Sequence, residues 1–373
     1  MASVIFQELA ALLNHVKQQT SLHAGYPFNL NYDYKQLLKF FDYSVINLGD
    51  PFIDSNYKVD SKKFEKEVLS FFAELYKISP EDSWGYVTSG GTEGNLYGIF
   101  LGRECYPDGL LYFSEDSHYS IPKAARLFRI PSVVVRSQKN GEIDYEHLAE
   151  MLQKNCHLPA IINLNIGTTM KGAIDDLDRV VDTLEKNHIQ NYYIHCDAAL
   201  FGMMLPFLAD SPQIDFTKPI GSVAISGHKF IGTPIPCGIV LSRNYLIKKI
   251  ETNIEYIASK DTTILGSRNG QAPIFLWYAL RTRGYQGFAQ EVKVCLQNAQ
   301  YLFEQLKSIG CSCLLNPFSN TVLFQRPPEP LVEKWQLSTM ENWAHIVVMQ
   351  NITQETIDTF VNDFRGVLLS NCA

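Results

Sequence analysis

The chain has 373 residues, 32 basic against 39 acidic side chains, and a formal net charge of −7, with 19% charged and 46% hydrophobic residues. That length points to two domains or one large domain with an appendage, the composition is too apolar for disorder, and a pI near 5.7 gives no electrostatic reason to expect nucleic-acid binding. The longest near-apolar run, residues 198–209, is 12 residues with Gly202 and Pro206 inside it, too short for a bilayer, and the N-terminus lacks the basic-then-apolar order of a secretory signal, so a cytoplasmic protein with no membrane partner is expected.

After an apolar helical start the first fifty residues read as irregular, with a loop-like GYPFN at 25–29. Phe64, Val68, Phe71, Phe72 and Leu75 then recur at helical spacing over 61–77, behind Asp60 or Ser61 as a cap. From there the chain alternates. Apolar runs at 109–113, 132–135, 160–166, 192–197, 222–226 and 238–241 read as strands, and most gaps hold helical patterns such as 145–154 and 177–187. Near-continuous apolar strands separated by helices predict an α/β fold, a mostly parallel central sheet with helices on both faces.

Beyond about 285 come a long helix (288–309), strands near 321–325 and 345–349, and a closing helix over 353–365, a small C-terminal α+β domain. The expected division is therefore an N-terminal segment 1–50, a large domain 51–284 and a small domain 285–373. The eight cysteines are scattered without a C-x-x-C pair, which fits reduced, mostly buried thiols and no metal site.

Ligands of parallel sheets lie beyond the carboxyl ends of the strands, and four groups fall there. GYVTSGGTEGN (85–95) precedes a helix. Its Gly90 and Gly91 permit a tight turn, Ser89 and Thr92 add hydroxyls, and the helix start offers unpaired N–H groups to a phosphate. The same pattern serves a turn that merely starts a helix, and no Walker lysine follows. Asp197 ends an apolar strand, where it is either a cap or the partner of a cationic ligand group, and small Ala198 and Ala199 after it leave room for a flat ring. Lys229, in SGHKF (226–230), is either a surface lysine or an amine able to form a Schiff base with a carbonyl. His118, in SEDSHYS, is structural or a planar stacking group. Together they make a phosphate cradle, a stacking ring, an acid for a ring nitrogen and a reactive lysine, the set pyridoxal phosphate requires.

GYVTSGGTEGN, NIGTTMKGAIDD, YIHCDAALFGM, SGHKFIGTPIPCG and LGSRNGQAPIFLW resemble the pyridoxal-phosphate-dependent group II amino acid decarboxylases, and within them the bacterial histidine decarboxylases and the related plant serine decarboxylases. The resemblance runs from about Gly25 to the C-terminus and implies a fold type I architecture and a homodimer, or a dimer of dimers, with active sites at the interface. It implies that Lys229 carries the cofactor, His118 stacks on its ring, Asp197 pairs with the ring nitrogen and Ala199 backs the other face. Ser89, Gly90, Gly91, Thr92, Ser226 and His228 would surround the phosphate, and Thr168 would lie near the ring oxygen. The GSRNG segment (266–270) would lie at the subunit interface, with the partner's phosphate as one group it could reach.

Tyr256, in NIEYIASKDTT, falls where the family tends to have a mobile catalytic loop and is the candidate proton donor, with a packed tyrosine as the alternative. Ser319 and His345 are candidates for substrate contact. The implied reaction is decarboxylation of an amino acid, histidine first and serine second. An aminotransferase or another lyase would share Lys229 and Asp197, but the arginine clamp usual for a retained carboxylate is not identifiable here.

Overall fold

A computed structural model of the chain describes residues 2–370. It begins with α1 (Ala2–Thr20), on which Val4, Ile5, Phe6, Leu9, Leu12 and Leu13 are 54–70% exposed. β1 (Ile46–Leu48) and α2 (Lys62–Leu75) follow. Ser61 is the N-cap of α2 but its hydroxyl donates to the Gly270 carbonyl at 2.7 Å rather than capping the helix, and Asp60 Oδ1 accepts from Lys62 N at 3.0 Å.

The alternating region consists of β2 (Ser83–Thr88), α3 (Gly91–Cys105), β3 (Leu110–Ser114), α4 (Ser120–Phe128), β4 (Ser132–Val135), α5 (Tyr145–Lys154), β5 (Ala160–Asn165), α6 (Leu177–Lys186), β6 (Tyr192–Asp197), β7 (Ser222–Ser226) and β8 (Gly238–Arg243). The strands form one sheet in the order β2-β8-β7-β6-β5-β3-β4. β8 is antiparallel to both neighbours, so β2 runs the same way as β7 and the other pairs are parallel. The carboxyl ends of β2, β3, β5, β6 and β7 therefore share one edge, together with the start of β8. The expected strands are found within a residue or two. β2 was not expected as a strand, because its residues read as part of the glycine motif.

Helices cover both faces, as strand alternation shows at β2. Trp84 and Tyr86 pack against Tyr97 of α3, whereas the intervening Gly85 faces Leu69 of α2. The core on the α3 side joins these aromatics to Leu111, Phe113, Ile121 and Ile161.

After β8 come the short α7 (Asn244–Ile247), a hairpin of β9 (Thr252–Ile254) and β10 (Ser259–Asp261), and β11 (Ser267–Asn269), which pairs with β1. α8 (Gln271–Ser308) is broken at Gly284, whose φ of +60° suits glycine. The remainder is β12 (Cys313–Leu315), β13 (Thr321–Gln325), α9 (Glu329–Trp335), β14 (Ser338–Met340), β15 (Trp343–Val347) and α10 (Gln354–Ser370).

The chain divides into two compact units. The larger is Tyr32–Val292, and the smaller joins the residues up to Asn31 with those from Lys293 onward. The smaller has an antiparallel sheet, β12-β13-β15-β14, over a core that includes Leu302, Phe324, Trp335, Ile346 and Phe360. The Ala24 N–H donates to the Trp335 carbonyl at 3.3 Å and the Ala24 carbonyl accepts from Val347 N at 3.1 Å, which stitches the N-terminal strip into this unit. This division differs from an expected N-terminal segment 1–50 and a boundary at 284/285, because those pairings are long-range and α8 runs past residue 285.

Among the described residues seven cysteines are free, with Cys196, Cys237, Cys295 and Cys311 buried and Cys156 exposed; Cys372 lies outside the described residues. No described helix is long and apolar enough to cross a membrane, and no described group of His, Cys, Asp and Glu is placed to hold a metal ion.

Candidate active site

The loop from β2 to α3 turns at Gly90, whose φ of +150° side chains rarely adopt. α3 then starts at Gly91, and its first N–H groups have no intrahelical partner, the arrangement that binds anions. A Cβ on Gly90 would meet only His228 Cε1, at 3.6 Å, whereas a Cβ on Gly91 would fall 2.6 Å from Ser226 Oγ and 3.5 Å from Ala199 Cβ. The glycines thus bring the helix start against Ser226, His228 and Ala199. Thr92 is half-buried at the second position of the helix. Ser89 is exposed, and its N–H and hydroxyl both donate to Glu93 Oε2, at 2.7 and 2.6 Å. Glu93 also accepts from Tyr86, at 2.9 Å, so the turn is braced by a buried carboxylate.

Asp197 is buried at the end of β6. Its Oδ1 accepts from Ala199 N at 3.3 Å and its Oδ2 from Asn95 Nδ2 of α3 at 2.7 Å. The same Asn95 nitrogen donates to Ser120 Oγ at 2.9 Å, and Ser120 Oγ lies 2.8 Å from His118 Nδ1. His195, two residues before Asp197 and fully buried, places Nε2 3.0 Å from Asn95 Oδ1 and Nδ1 2.7 Å from Ser222 Oγ. Burial pushes the His195 pKa down to about 4, against the pull of Asp197. His118 is half-buried beyond β3. Desolvation lowers its pKa, Asp197 opposes this, and Lys229 and Lys123 add to it.

Lys229 follows β7 in a helical turn, Gly227–Ile231, that breaks at the lysine itself (φ −85°, ψ −105°). The turn is tied back to the start of β8, because the Cys237 carbonyl accepts from Gly227 N at 2.8 Å and from His228 Nδ1 at 2.8 Å. Desolvation holds the Lys229 pKa below the ordinary lysine value, and the charge of Asp197 acts the other way. A depressed lysine amine is one that can act as a nucleophile near neutral pH.

Thr168 is buried in the loop after β5, where its hydroxyl accepts from Ala173 N at 3.0 Å and its carbonyl from Gly172 N at 2.7 Å. Tyr256, at the tip of the β9–β10 hairpin, is 82% exposed in the single chain, so it is not packed against its own chain. Ser319 and His345 are buried in the smaller unit, where Ser319 Oγ accepts from Thr321 N at 3.0 Å and His345 Nε2 lies 3.0 Å from the Gly25 carbonyl oxygen. Within GSRNG, Arg268 turns inward to a buried ion pair with Glu65 and donates to the Gly49 carbonyl at 3.0 Å, while Ser267 and Asn269 are exposed. A buried guanidinium was not the expectation for a segment read as an interface.

The residues at the sheet edge fit pyridoxal phosphate on their own chemistry. An open glycine-lined helix start suits the phosphate, a carboxylate held by an amide suits a protonated ring nitrogen, and a lysine of lowered basicity suits the aldehyde carbon. The fold and this candidate site define the class, a pyridoxal-phosphate enzyme of fold type I. Comparison with known proteins gives the family. Residues 102–316 match the pyridoxal-dependent decarboxylase conserved domain. The chain is similar to serine decarboxylase 1 of Oryza sativa subsp. japonica, 51% identical over 97% of this chain and 75% of that protein, and to histidine decarboxylase of Solanum lycopersicum, 48% identical over 96% and 89%. Among solved structures, L-methionine decarboxylase from Streptomyces sp. 590 superposes with a TM-score of 0.89 at 25% identity, covering 97% of this chain and 95% of that one. The chain belongs to the pyridoxal-dependent group II decarboxylases and is a pyridoxal-phosphate-dependent carboxy-lyase.

The sequence alone does not single out Asn95, Ser120, His195 or Ser222. His195 carried a signal, since a residue two before Asp197 on one strand points to the same face. Asn95 lay inside the glycine motif, but only the crossing of α3 over β6 reveals what it touches.

Proposed function

We propose that this chain removes the α-carboxylate of L-histidine, giving histamine and carbon dioxide. The observation that carries the decarboxylase site is that Lys229, Asp197 and the Gly90–Gly91 helix start meet at one sheet edge. When bound, the cofactor supplies an electron sink for the carbanion left by departing carbon dioxide. Lys229 supplies the amine for covalent attachment and gives way to the substrate amine. Asp197, held by Asn95, would turn its charge toward the ring nitrogen, and His118 and Ala199 would flank the ring. Gly90, Gly91, Thr92, Ser226 and His228 would hold the phosphate, with Ser89 bracing the turn through Glu93, and Thr168, one strand over, would lie near the ring oxygen.

Tyr256 is assigned the α-carbon proton in this reading. Its exposure at a hairpin tip supports a group that moves, or that meets a second copy of the chain, rather than one fixed beside Lys229. A homodimer is part of the proposal, supported by the exposed apolar side chains of α1 and by Leu38, Phe41 and Tyr43, which are 52–65% exposed. The cytoplasm is the proposed location, supported by the free cysteines.

Serine is the second reading, favoured by the 51% identity to the rice serine decarboxylase against 48% to the tomato histidine decarboxylase. A pocket with polar partners for imidazole should reject serine, which leaves them unpaired, by roughly a thousandfold in kcat/KM. Both amino acids offered together to the purified enzyme, with products separated, test this. Histamine as the dominant product supports histidine, and ethanolamine moves the chain to the serine reading.

A further inference from the structure

Five side chains beneath the site form one continuous buried path: Tyr193, Ser222, His195, Asn95 and Ser120, ending at His118. Its steps are 2.6 Å from Tyr193 OH to Ser222 Oγ, 2.7 Å on to His195 Nδ1, 3.0 Å from His195 Nε2 to Asn95 Oδ1, 2.9 Å from Asn95 Nδ2 to Ser120 Oγ and 2.8 Å to His118 Nδ1. Tyr193, His195, Asn95, Ser120 and Ser222 are all buried.

One fixed point orients every proton along it. The Asp197 carboxylate can only accept, so the group 2.7 Å from Oδ2 must be the Asn95 NH2, and the Asn95 oxygen must face His195. An amide oxygen only accepts, so His195 carries its proton on Nε2. His195 Nδ1 is then an acceptor, which obliges Ser222 to donate to it and Tyr193 to donate to Ser222. In the other direction Asn95 donates to Ser120 Oγ, leaving the Ser120 hydroxyl proton for His118 Nδ1. The Ser120 N–H also points at that nitrogen, at 3.3 Å, so two donors converge on it.

We propose that Asn95, Ser120 and His195 are positioning residues that lock His118 as the neutral tautomer with its proton on Nε2, while holding Asp197 as a pure acceptor. The inference rests on the reading of His118 and Asp197 as cofactor contacts. It makes His118 a hydrogen-bond donor at Nε2, suited to an oxygen of substrate or cofactor and unable to take a proton there. One amide thereby serves the groups assigned to the ring nitrogen and the ring face.

Neutron diffraction from deuterium-exchanged crystals of the cofactor-loaded enzyme, without amino acid, reads the tautomers directly. Deuterium on Nε2 of both His118 and His195 is expected, and deuterium on Nδ1 of either overturns the proposal. As a second measurement, nitrogen-15 spectra of histidine-labelled Ser120→Ala should show His118 shifting to a mixture of tautomers with His195 unchanged. A His118 signal identical to that of the unmodified enzyme would show that the path does not set its tautomer. Failure to hold pyridoxal phosphate at all would defeat the functional reading, yet leave these tautomers to stand or fall by themselves.

Discussion

Asn95 donates to Asp197 Oδ2 at 2.7 Å, fastening the end of β6 to the second turn of α3. The carboxylate proposed for the ring nitrogen is thus held by the same helix whose N-terminus is proposed for the phosphate, so one rigid element would gauge the two ends of the cofactor.

Asp197→Asn keeps the shape and removes the charge. Cofactor retention should weaken and turnover fall about a hundredfold, the scale of one preorganised electrostatic interaction. Steady-state kinetics on the cofactor-saturated variant check this, and near-normal turnover rules out the role.

His195 gives the fold an acid sensitivity. Its pKa is about 4 in the folded chain against an ordinary 6.5, so the unfolded chain binds more protons between those values. Its contribution is complete above pH 6.5 and is lost as pH falls toward 4, reaching roughly 3 kcal/mol. His195→Gln retains a donor for Asn95 and removes the titration. Denaturant unfolding at a series of pH values should give a flatter slope for the variant in that window, whereas parallel slopes would place the sensitivity elsewhere.

Gly98 lets α3 lie against His195, since a Cβ there would fall 2.1 Å from the ring Nδ1. Gly98→Ala should destabilise the protein by about 1–3 kcal/mol through overpacking. Gly266→Ala, where a Cβ meets nothing within 4 Å, should change stability by less than about 0.5 kcal/mol. Thermal unfolding of the pair separates close approach from the loss of glycine as such.

Arg268 and Glu65 form an ion pair with side chains 2% and 0% exposed, and Glu65 also accepts from Val87 N at 2.8 Å just before the glycine turn. Arg268→Met leaves that carboxylate buried without its cation and should cost about 3–5 kcal/mol. An unfolding midpoint equal to that of the unmodified protein would mean water or another group takes the place of the guanidinium.

The strands were legible wherever an apolar run was long and bounded, as at 160–165 and 192–197, because burial on both faces leaves little else for such runs to do. β2 was hidden because its Gly85 and Tyr86 read as the start of the glycine turn. The antiparallel sense of β8 has no sequence signature, and neither does the stitching of Ala24 to Trp335 and Val347. At the site, residues with unusual local chemistry, Lys229, Asp197, Gly90 and Gly91, stood out. Asn95 and Ser120 did not, because an asparagine and a serine within helices acquire meaning only from what crosses them.

Lys229 is the proposed point of cofactor attachment. Borohydride reduction of the purified yellow protein, followed by proteolysis and mass spectrometry, tests it directly. The pyridoxyl adduct should be found on the peptide containing Lys229 and on no other lysine. An adduct on a different lysine, or none on a protein that nevertheless decarboxylates, would contradict it.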